Sequence, residues 1–181
     1  MTESKMGTSL DWDSPELSQA EYDAMAEWYS TVHGEGNLDL NKFLPYMMSL
    51  RPDALKKYRR WVEIAAAGRD LPDGIHDPAP LMWLHYYTTD GYREGHLYEL
   101  IMAKGFGSSR AEVAQTIALG WLHGGPHGLN AGADLSMDYM ARWEQDSDDT
   151  TGLIWPEGWS ANPEAFVCGM NLDPEVPLTA D

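Results

Sequence analysis

Apolar residues recur along this chain at the three- and four-residue spacing that is typical of amphipathic helices. The first predicted helix opens at Ser18, because Glu21 three residues later completes a capping box. Its apolar face then consists of Tyr22, Met25, Ala26, Tyr29 and Val32. His33-Gly34 ends this helix. No run of cleanly alternating apolar and polar residues occurs, so the chain predicts no strand.

Two prolines organise the next helical segments. A short helical stretch is predicted over residues 38–50, and Pro45 either kinks it or starts its second part. Pro52 opens the following helix, at a position where its missing N–H does no harm. That helix carries four of the twelve basic residues: Lys56, Lys57, Arg59 and Arg60. Such a cluster could meet an anionic substrate or an acidic neighbouring subunit, but a solvated face is the interpretation we favour.

A turn-rich loop over residues 68–80 precedes the longest predicted helix. That helix is mostly apolar, covers residues 80–104 and is interrupted by Gly91 and Gly95. Gly105-Phe106-Gly107 breaks it.

Two further helices complete the predicted set. Ser109 and Glu112 cap the first of them, and Gly124-Gly125-Pro126 stops it. The last covers residues 137–143.

These elements predict an all-α protein with one folded domain. We expect a flexible N terminus over residues 1–14, a single helical domain over residues 15–148, and an extended acidic tail over residues 149–181. The tail is rich in proline, yet its aromatic residues Trp155, Trp159 and Phe166 are too apolar for free disorder. We therefore expect it to pack along its own or a neighbouring subunit.

The charge of the chain excludes some classes of partner. There are 29 acidic residues against 12 basic ones, which gives a net charge of −17. Nucleic-acid backbones and anionic membranes repel such a chain, so neither is expected as a partner.

Cys168 is the only cysteine, so paired-cysteine redox chemistry and an intramolecular disulfide are excluded. The first thirteen residues contain no apolar run or basic leader, and no stretch of 18 apolar residues occurs. A cytoplasmic location is therefore expected. Eight tryptophans in a chain of 181 residues predict a homo-oligomer, since one small helical subunit does not cover that much apolar surface.

One polar stripe stands out in the helix predicted over residues 80–104. If that helix is continuous, five residues share one face at spacings of four, three, four and three: His85, Thr89, Tyr92, His96 and Glu99. Burying such a stripe in an apolar core is costly, so we expect it to line a cavity or a wet surface. His123 and His127 flank a glycine-rich turn and could approach the same cavity.

Other kinds of site have less support in the sequence. His123 and His127 could hold a metal with His85, but the Gly-Gly-Pro between the pair breaks the helix that would align them. We therefore predict no metal site. The chain has no nucleophile elbow, phosphate loop or dinucleotide fingerprint.

The run from Arg51 to Tyr58, the loop after it, and the helix into Gly91-Tyr92-Arg93-Glu94-Gly95-His96 resemble the carboxymuconolactone decarboxylase family. That family includes the alkylhydroperoxidase D-type proteins. The likeness continues through Gly105 and the helix that ends at Gly124, and it covers about residues 38–131. It implies an alkylhydroperoxidase D-like helical bundle and assembly into trimers or hexamers.

The resemblance also implies roles for single residues. The peroxidase branch carries an acidic residue, a Cys-x-x-Cys pair and a histidine four residues after the second cysteine. Aligning that histidine with His96 puts Thr89 and Tyr92 at the cysteine positions and Asp77 at the acidic one. Both thiols are therefore missing, which excludes thiol-based peroxide reduction.

What remains resembles the decarboxylase branch, which acts on small carboxylated lactones without a redox cofactor. We expect a cofactor-independent lyase, with His96 as general acid/base, Asp77 as its orienting carboxylate and Tyr92 as a donor to the oxyanion. The candidate substrate-binding residues are His85, Thr89, Glu94, Glu99, His123 and His127. An isomerase, hydratase or retro-aldol lyase would use the same groups. The main alternative is a non-catalytic binding or assembly protein on this fold, and a His-ligated metal enzyme is a further one.

Overall fold

The computed structural model describes residues 10–11, 13–37, 39–66, 78–144 and 156–163, and every regular element among them is helical. The helices are α1 (Gln19–His33), α2 (Leu44–Leu50), α3 (Pro52–Ala66), α4 (Ala79–Asp90), α5 (Arg93–Gly105) and α6 (Arg110–Ala141), with a π-helical segment Asp39–Phe43 before α2. The all-α prediction is therefore confirmed. No helix in these ranges has the length and apolarity that crossing a membrane requires.

The chain divides into two compact units. Of the described residues, those up to residue 66 belong to the first unit, which contains α1 to α3, and those from residue 78 onward belong to the second, which contains α4 to α6. The single domain predicted over residues 15–148 stays a prediction. Residues 1–9 of the predicted N-terminal segment, and residues 149–155 and 164–181 of the predicted tail, lie outside the described residues.

The start of α1 is the predicted capping box. The Ser18 hydroxyl accepts a hydrogen bond from the backbone N–H of Glu21 at 3.3 Å, and the Glu21 carboxylate accepts one from the backbone N–H of Ser18 at 2.7 Å. Two orphan donors of the helix end are satisfied in this way.

Lys56 and Arg59 are buried, so the prediction of a solvated basic face on α3 is wrong for both. The Lys56 ammonium lies 2.5 Å from the buried Glu21 carboxylate, and the Arg59 guanidinium lies 3.8 Å from the centroid of the Trp28 ring. An opposite charge and an aromatic face offset the cost of removing these cations from water. Lys57 is exposed, and the side chain of Arg60 lies outside the described residues.

The ion pair of Lys56 also sets the charge state of Glu21. Burial by itself would raise the pKa of this carboxyl, but hydrogen bonds from Lys56, Ser18 and the backbone of Asp11 lower it to about 2. Glu21 therefore stays ionised in the folded chain, and its stabilising contribution is lost only as the pH falls from about 4.5 towards 2.

Replacing Lys56 should be costly. Lys56→Met should lower the free energy of unfolding by about 3–5 kcal/mol, because it leaves a buried carboxylate without its cation. Lys57→Met is the matched control, since Lys57 is the exposed neighbour on the same helix, and it should change stability by less than about 0.5 kcal/mol. Urea denaturation at pH 7 measures both. Equal losses in the two variants would contradict the buried pair.

The core of the second unit lies where α5 packs against α4 and α6. Its buried members are Leu84, Leu97, Leu100, Ile101, Ala103, Val113, Tyr139 and Trp143. On α5 all nine residues from Gly95 to Ala103 are buried. A helix that is buried around its whole circumference has no solvated side, so every polar side chain on it must be satisfied within the protein or serve a function.

The helix predicted over residues 80–104 is two helices in the structure. Gly91 ends α4 in the left-handed conformation, with φ 78° and ψ 25°, and the backbone N–H groups of Gly91 and Tyr92 donate to the Tyr87 carbonyl. Glycine adopts this conformation without steric cost, which is why the helix ends there. Gly95 lies inside α5 and does not interrupt it. A Cβ at this position would be 2.5 Å from the Tyr92 ring and 2.8 Å from the Tyr87 ring, so a side chain has no room there.

The glycine-rich turn ends one helix as predicted, because the range given for α6 consists of two helices that meet at a kink at Gly125. Gly125 has φ 71° and ψ −172°, and helical conformation resumes at Pro126 and continues to Ala141. Proline fits the first turn of a helix because its missing N–H would have no intrahelical partner there. The prediction of a last helix confined to residues 137–143 was therefore too short.

Three glycines at intervals of four let α6 lie against the backbone of α4. A Cβ on Gly120 would come 2.6 Å from the Thr88 side chain, and one on Gly124 would come 2.7 Å from the Thr89 Cα. A Cβ on Gly128 would meet the Thr88 carbonyl. Only glycine fits at these three positions.

Adding a methyl group at this contact should destabilise the protein. Gly124→Ala removes glycine from a helix, which alone would stabilise it by about 0.5–1 kcal/mol. Because the new Cβ would meet the backbone of Thr89, we expect a net loss of about 1–3 kcal/mol instead. Ala118→Ser, at an exposed position of α6, is the control and should cost less than about 0.5 kcal/mol. A Gly124→Ala variant as stable as the wild type by thermal unfolding would contradict the close helix contact.

Candidate functional site

Of the predicted site residues that the structure describes, His96 is the most deeply buried. It lies near the start of α5 with 1% of its surface exposed, and its backbone N–H donates to the carbonyl of Tyr92 at 2.9 Å. The N-terminal part of α5 is therefore what positions the imidazole inside the second unit.

The hydrogen bonds of Thr88 determine which ring nitrogen of His96 carries the proton. The Thr88 hydroxyl donates its only hydrogen to the Leu84 carbonyl at 2.7 Å. Its oxygen lies 3.0 Å from Nδ1 of His96 and can then only accept a hydrogen bond from it. The neutral ring consequently carries its hydrogen on Nδ1 and a bare lone pair on Nε2.

The Nε2 atom of His96 is buried and has no hydrogen-bond partner among the described residues. Burial lowers the pKa of His96 to about 4, so the ring is neutral at pH 7. A buried polar atom that is left unpaired costs free energy, and in native proteins such atoms call for a functional or structural explanation. Here the atom is a base whose lone pair is available.

Glu99 lies one turn further along α5, on the same side of the helix as His96. It is also buried, and burial raises its pKa well above the ordinary value. This shift favours the neutral carboxylic acid, which can donate a hydrogen bond or a proton. Burial thus favours the uncharged form of both side chains, an imidazole base and a carboxylic acid.

Tyr92 is the N-cap residue of α5, four residues before His96, and the break at Gly91 separates both from Thr89 and His85 on α4. Its ring packs edge-on against Tyr87, with the centroids 5.2 Å apart. Among the described residues, Thr88 is the one side chain that hydrogen-bonds the His96 ring. Asp77, the predicted orienting carboxylate, lies outside the described residues.

Thr88 is the site residue that the sequence analysis missed, since it selected Thr89 instead. The Thr89 hydroxyl donates to the His85 carbonyl at 2.8 Å, so its hydrogen bond is made within α4. A signal for Thr88 was present, because it lies four residues after the buried Leu84 on the apolar face of α4. A lone hydroxyl at such a position has to find a partner inside the protein.

The remaining candidates lie at separate places. His85 on α4 and His123 on α6 meet, with 3.2 Å between Nε2 of His85 and Nδ1 of His123. His127 is exposed and lies beyond the kink at Gly125. Glu94 is half-buried, and its carboxylate is 4.0 Å from the Arg93 guanidinium. Across the described ranges, no three histidine, cysteine or acidic side chains come together as metal ligands would.

No known protein family, curated protein or solved structure matches this chain. The resemblance to the carboxymuconolactone decarboxylase family therefore stays a prediction, and the site has to be interpreted from its own geometry.

The opposite pKa shifts of His96 and Glu99 predict opposite dependences of stability on pH. The pKa of His96 is lowered in the folded chain, so folding loses stability as the pH falls from 6.5 to about 4. The pKa of Glu99 is raised, so folding loses stability as the pH rises above 4.5.

Two variants separate these contributions when each is compared with the wild type. Glu99→Gln should gain relative stability as the pH rises above 4.5, and His96→Asn should gain it as the pH falls below 6.5. Each difference should change by at most about 1.4 kcal/mol per pH unit. Urea denaturation from pH 4 to 8 measures both. Stability curves parallel to that of the wild type would show that these groups titrate normally in the folded chain.

Proposed function

We propose that this protein is a cofactor-independent lyase that cleaves a carbon–carbon bond in a small oxygenated acid, either carboxylated or lactone-like. His96 is the general base, and Glu99 is the acid that stabilises and protonates the product. The observation that carries the proposal is the bare, buried Nε2 of His96, whose tautomer is held by Thr88. A neutral imidazole one helical turn from a carboxyl group whose pKa burial raises well above its usual range is suited to acid–base chemistry.

The chemistry needs no group beyond these two. Breaking a carbon–carbon bond beside a carbonyl moves the bonding electrons onto the carbonyl oxygen and forms an enolate. In a decarboxylation CO₂ leaves, Glu99 hydrogen-bonds the enolate oxygen, and its proton then passes to the enolate carbon and is replaced from water. In a retro-aldol cleavage Nε2 of His96 first takes the hydroxyl proton, and the imidazolium later returns it to carbon.

The protonation states favour the retro-aldol route. Nε2 of His96 carries no proton at neutral pH, so the ring starts the reaction as a base. The decarboxylase route rests on the resemblance, as do the roles of Asp77 as orienting carboxylate and Tyr92 as oxyanion donor. Because the His96 ring is 1% exposed, either reaction requires a local opening of the second unit, which hydrogen exchange at the α5 amides would report.

Activity should depend on His96 and Glu99 and not only on the fold. Small β-hydroxy acids, β-keto acids and unsaturated lactone carboxylates are assayed by proton NMR in D₂O, where a protonated enolate carbon acquires deuterium. His96→Asn should lower turnover by about 10²–10⁴-fold, the usual range for a positioned acid or base. Glu99→Gln removes the acidic proton at nearly constant volume and should cost about 10²–10³-fold, as the loss of one oxyanion donor does.

Lys57→Met is the control for this assay, because Lys57 is exposed on α3 and belongs to the other unit. It should leave turnover unchanged. If His96→Asn lowers the melting temperature while turnover per folded molecule stays within threefold of the wild type, His96 is structural and the proposal fails.

One observation favours the alternative, a non-catalytic assembly protein. Between Asp77 and Asp90, and again between Glu112 and Asp134, the chain has no charged residue, although 23% of all its residues are charged. This uncharged part of α4 and α6 exposes several large apolar side chains: Met82, Tyr86, Leu119, Trp121 and Leu122. A surface of this kind fits contact between copies of the chain, in keeping with the expected trimer or hexamer.

Sedimentation velocity and the substrate panel separate the two functions. A stable oligomer that turns over none of the panel favours the assembly protein, whereas turnover that His96→Asn abolishes favours the lyase.

A further inference from the structure

The second unit brings two histidines together at its surface, away from the ring of His96. Nδ1 of His123 on α6 and Nε2 of His85 on α4 are 3.2 Å apart, and the two rings are nearly perpendicular, at 88°. His123 is exposed and His85 is partly exposed, so water reaches both. We propose that His85 and His123 form a two-histidine binding site for a divalent transition-metal ion of the class Zn²⁺, Ni²⁺ or Cu²⁺.

The distance between the two nitrogens suits one shared ion. Imidazole nitrogens bind Zn²⁺ at about 2.0–2.1 Å, and two of them in a tetrahedral centre are then roughly 3.3–3.4 Å apart. The 3.2 Å observed here is within about 0.2 Å of that separation. To chelate an ion, each ring has to rotate until both lone pairs point at it, and water then completes the coordination.

The two helices hold the rings in this arrangement. His123 lies between Gly120 and Gly124 in sequence, and both glycines pack against the backbone of α4. A Cβ on Gly120 would be 3.2 Å from the carbonyl oxygen of His85 itself. The same carbonyl accepts a hydrogen bond from the Thr89 hydroxyl at 2.8 Å. Because these contacts fix both backbones, little conformational freedom remains to be lost when an ion binds.

The protons balance without any further reactant. In the hydrogen-bonded pair one of the two facing nitrogens carries a hydrogen, and the other accepts it. On metal binding, the ring that carries this hydrogen moves it to its other nitrogen, so both rings stay neutral and present lone pairs to the ion.

The electrostatic surroundings also admit a cation. Neither residues 78–89 nor residues 113–133 include a lysine or arginine that would repel it, and the chain as a whole carries a net charge of −17. Imidazole ligands select Zn²⁺, Ni²⁺ and Cu²⁺ over Mg²⁺, which prefers oxygen ligands. Mg²⁺ is therefore the control ion: it would bind surface carboxylates but not the two histidines.

The site is tested on the full chain by titration calorimetry with Zn²⁺ and Ni²⁺ at pH 7.5. One site should be found, and His85→Asn and His123→Asn should each raise its Kd at least tenfold. NMR with substoichiometric Cu²⁺ should broaden the ring signals of these two histidines first. His127→Asn is the matched control, because His127 is exposed on α6 beyond the kink, and it should leave the Kd unchanged.

Three results would overturn this site. Unchanged Zn²⁺ binding in both His85→Asn and His123→Asn would identify an adventitious ion only. A loss in His127→Asn equal to that in His123→Asn would show a different ligand set, and equal heats with Mg²⁺ would show binding to carboxylates. His85→Asn and His123→Asn leave His96 and Glu99 unchanged. Failure of the metal site would therefore not contradict the proposed lyase, and failure of the lyase would not contradict the metal site.

Discussion

The close contact between α4 and α6 is the constraint on which the second unit depends. Glycines at positions 120, 124 and 128 bring the two backbones together at Thr88 and Thr89. A Cβ on Gly120 would meet the side chain of Thr88, the same side chain that hydrogen-bonds Nδ1 of His96. Thr88 therefore connects the contact between α4 and α6 to His96, the candidate base. It also brings His85 and His123 together, so both proposed sites are consequences of the same packing.

Burial is the second physical theme, because polar groups are removed from water in both units by different means. In the first unit opposite charges and an aromatic face accompany the buried groups, as Lys56 with Glu21 and Arg59 with Trp28 illustrate. In the second unit burial favours the uncharged forms of His96 and Glu99 instead. Neutrality lowers the cost of burial and leaves a base and an acid that can exchange protons, whereas the ion pair in the first unit holds Glu21 ionised.

The candidate site was predictable only in part. His96 and Glu99 were recognisable as polar residues on an otherwise apolar helix, and their spacing of three placed them on one side of it. Their relation to His85 and Thr89 was not predictable, because Gly91 ends α4 within the predicted stripe. Thr88 was missed because its role depends on two hydrogen bonds, one to its own helix and one to α5, and spacing along one helix cannot reveal the second.

The sequence by itself determined the helical class, the capping boxes at Ser18 and Ser109 and the helix start at Pro52, because these follow from local backbone chemistry. It also determined that no cysteine pair exists. Only the tertiary structure decided that Lys56 and Arg59 are buried, that Thr88 holds His96, and that His85 meets His123. These facts depend on which helix faces which, and that is set by residues far apart in the chain, such as Gly120 against Thr88.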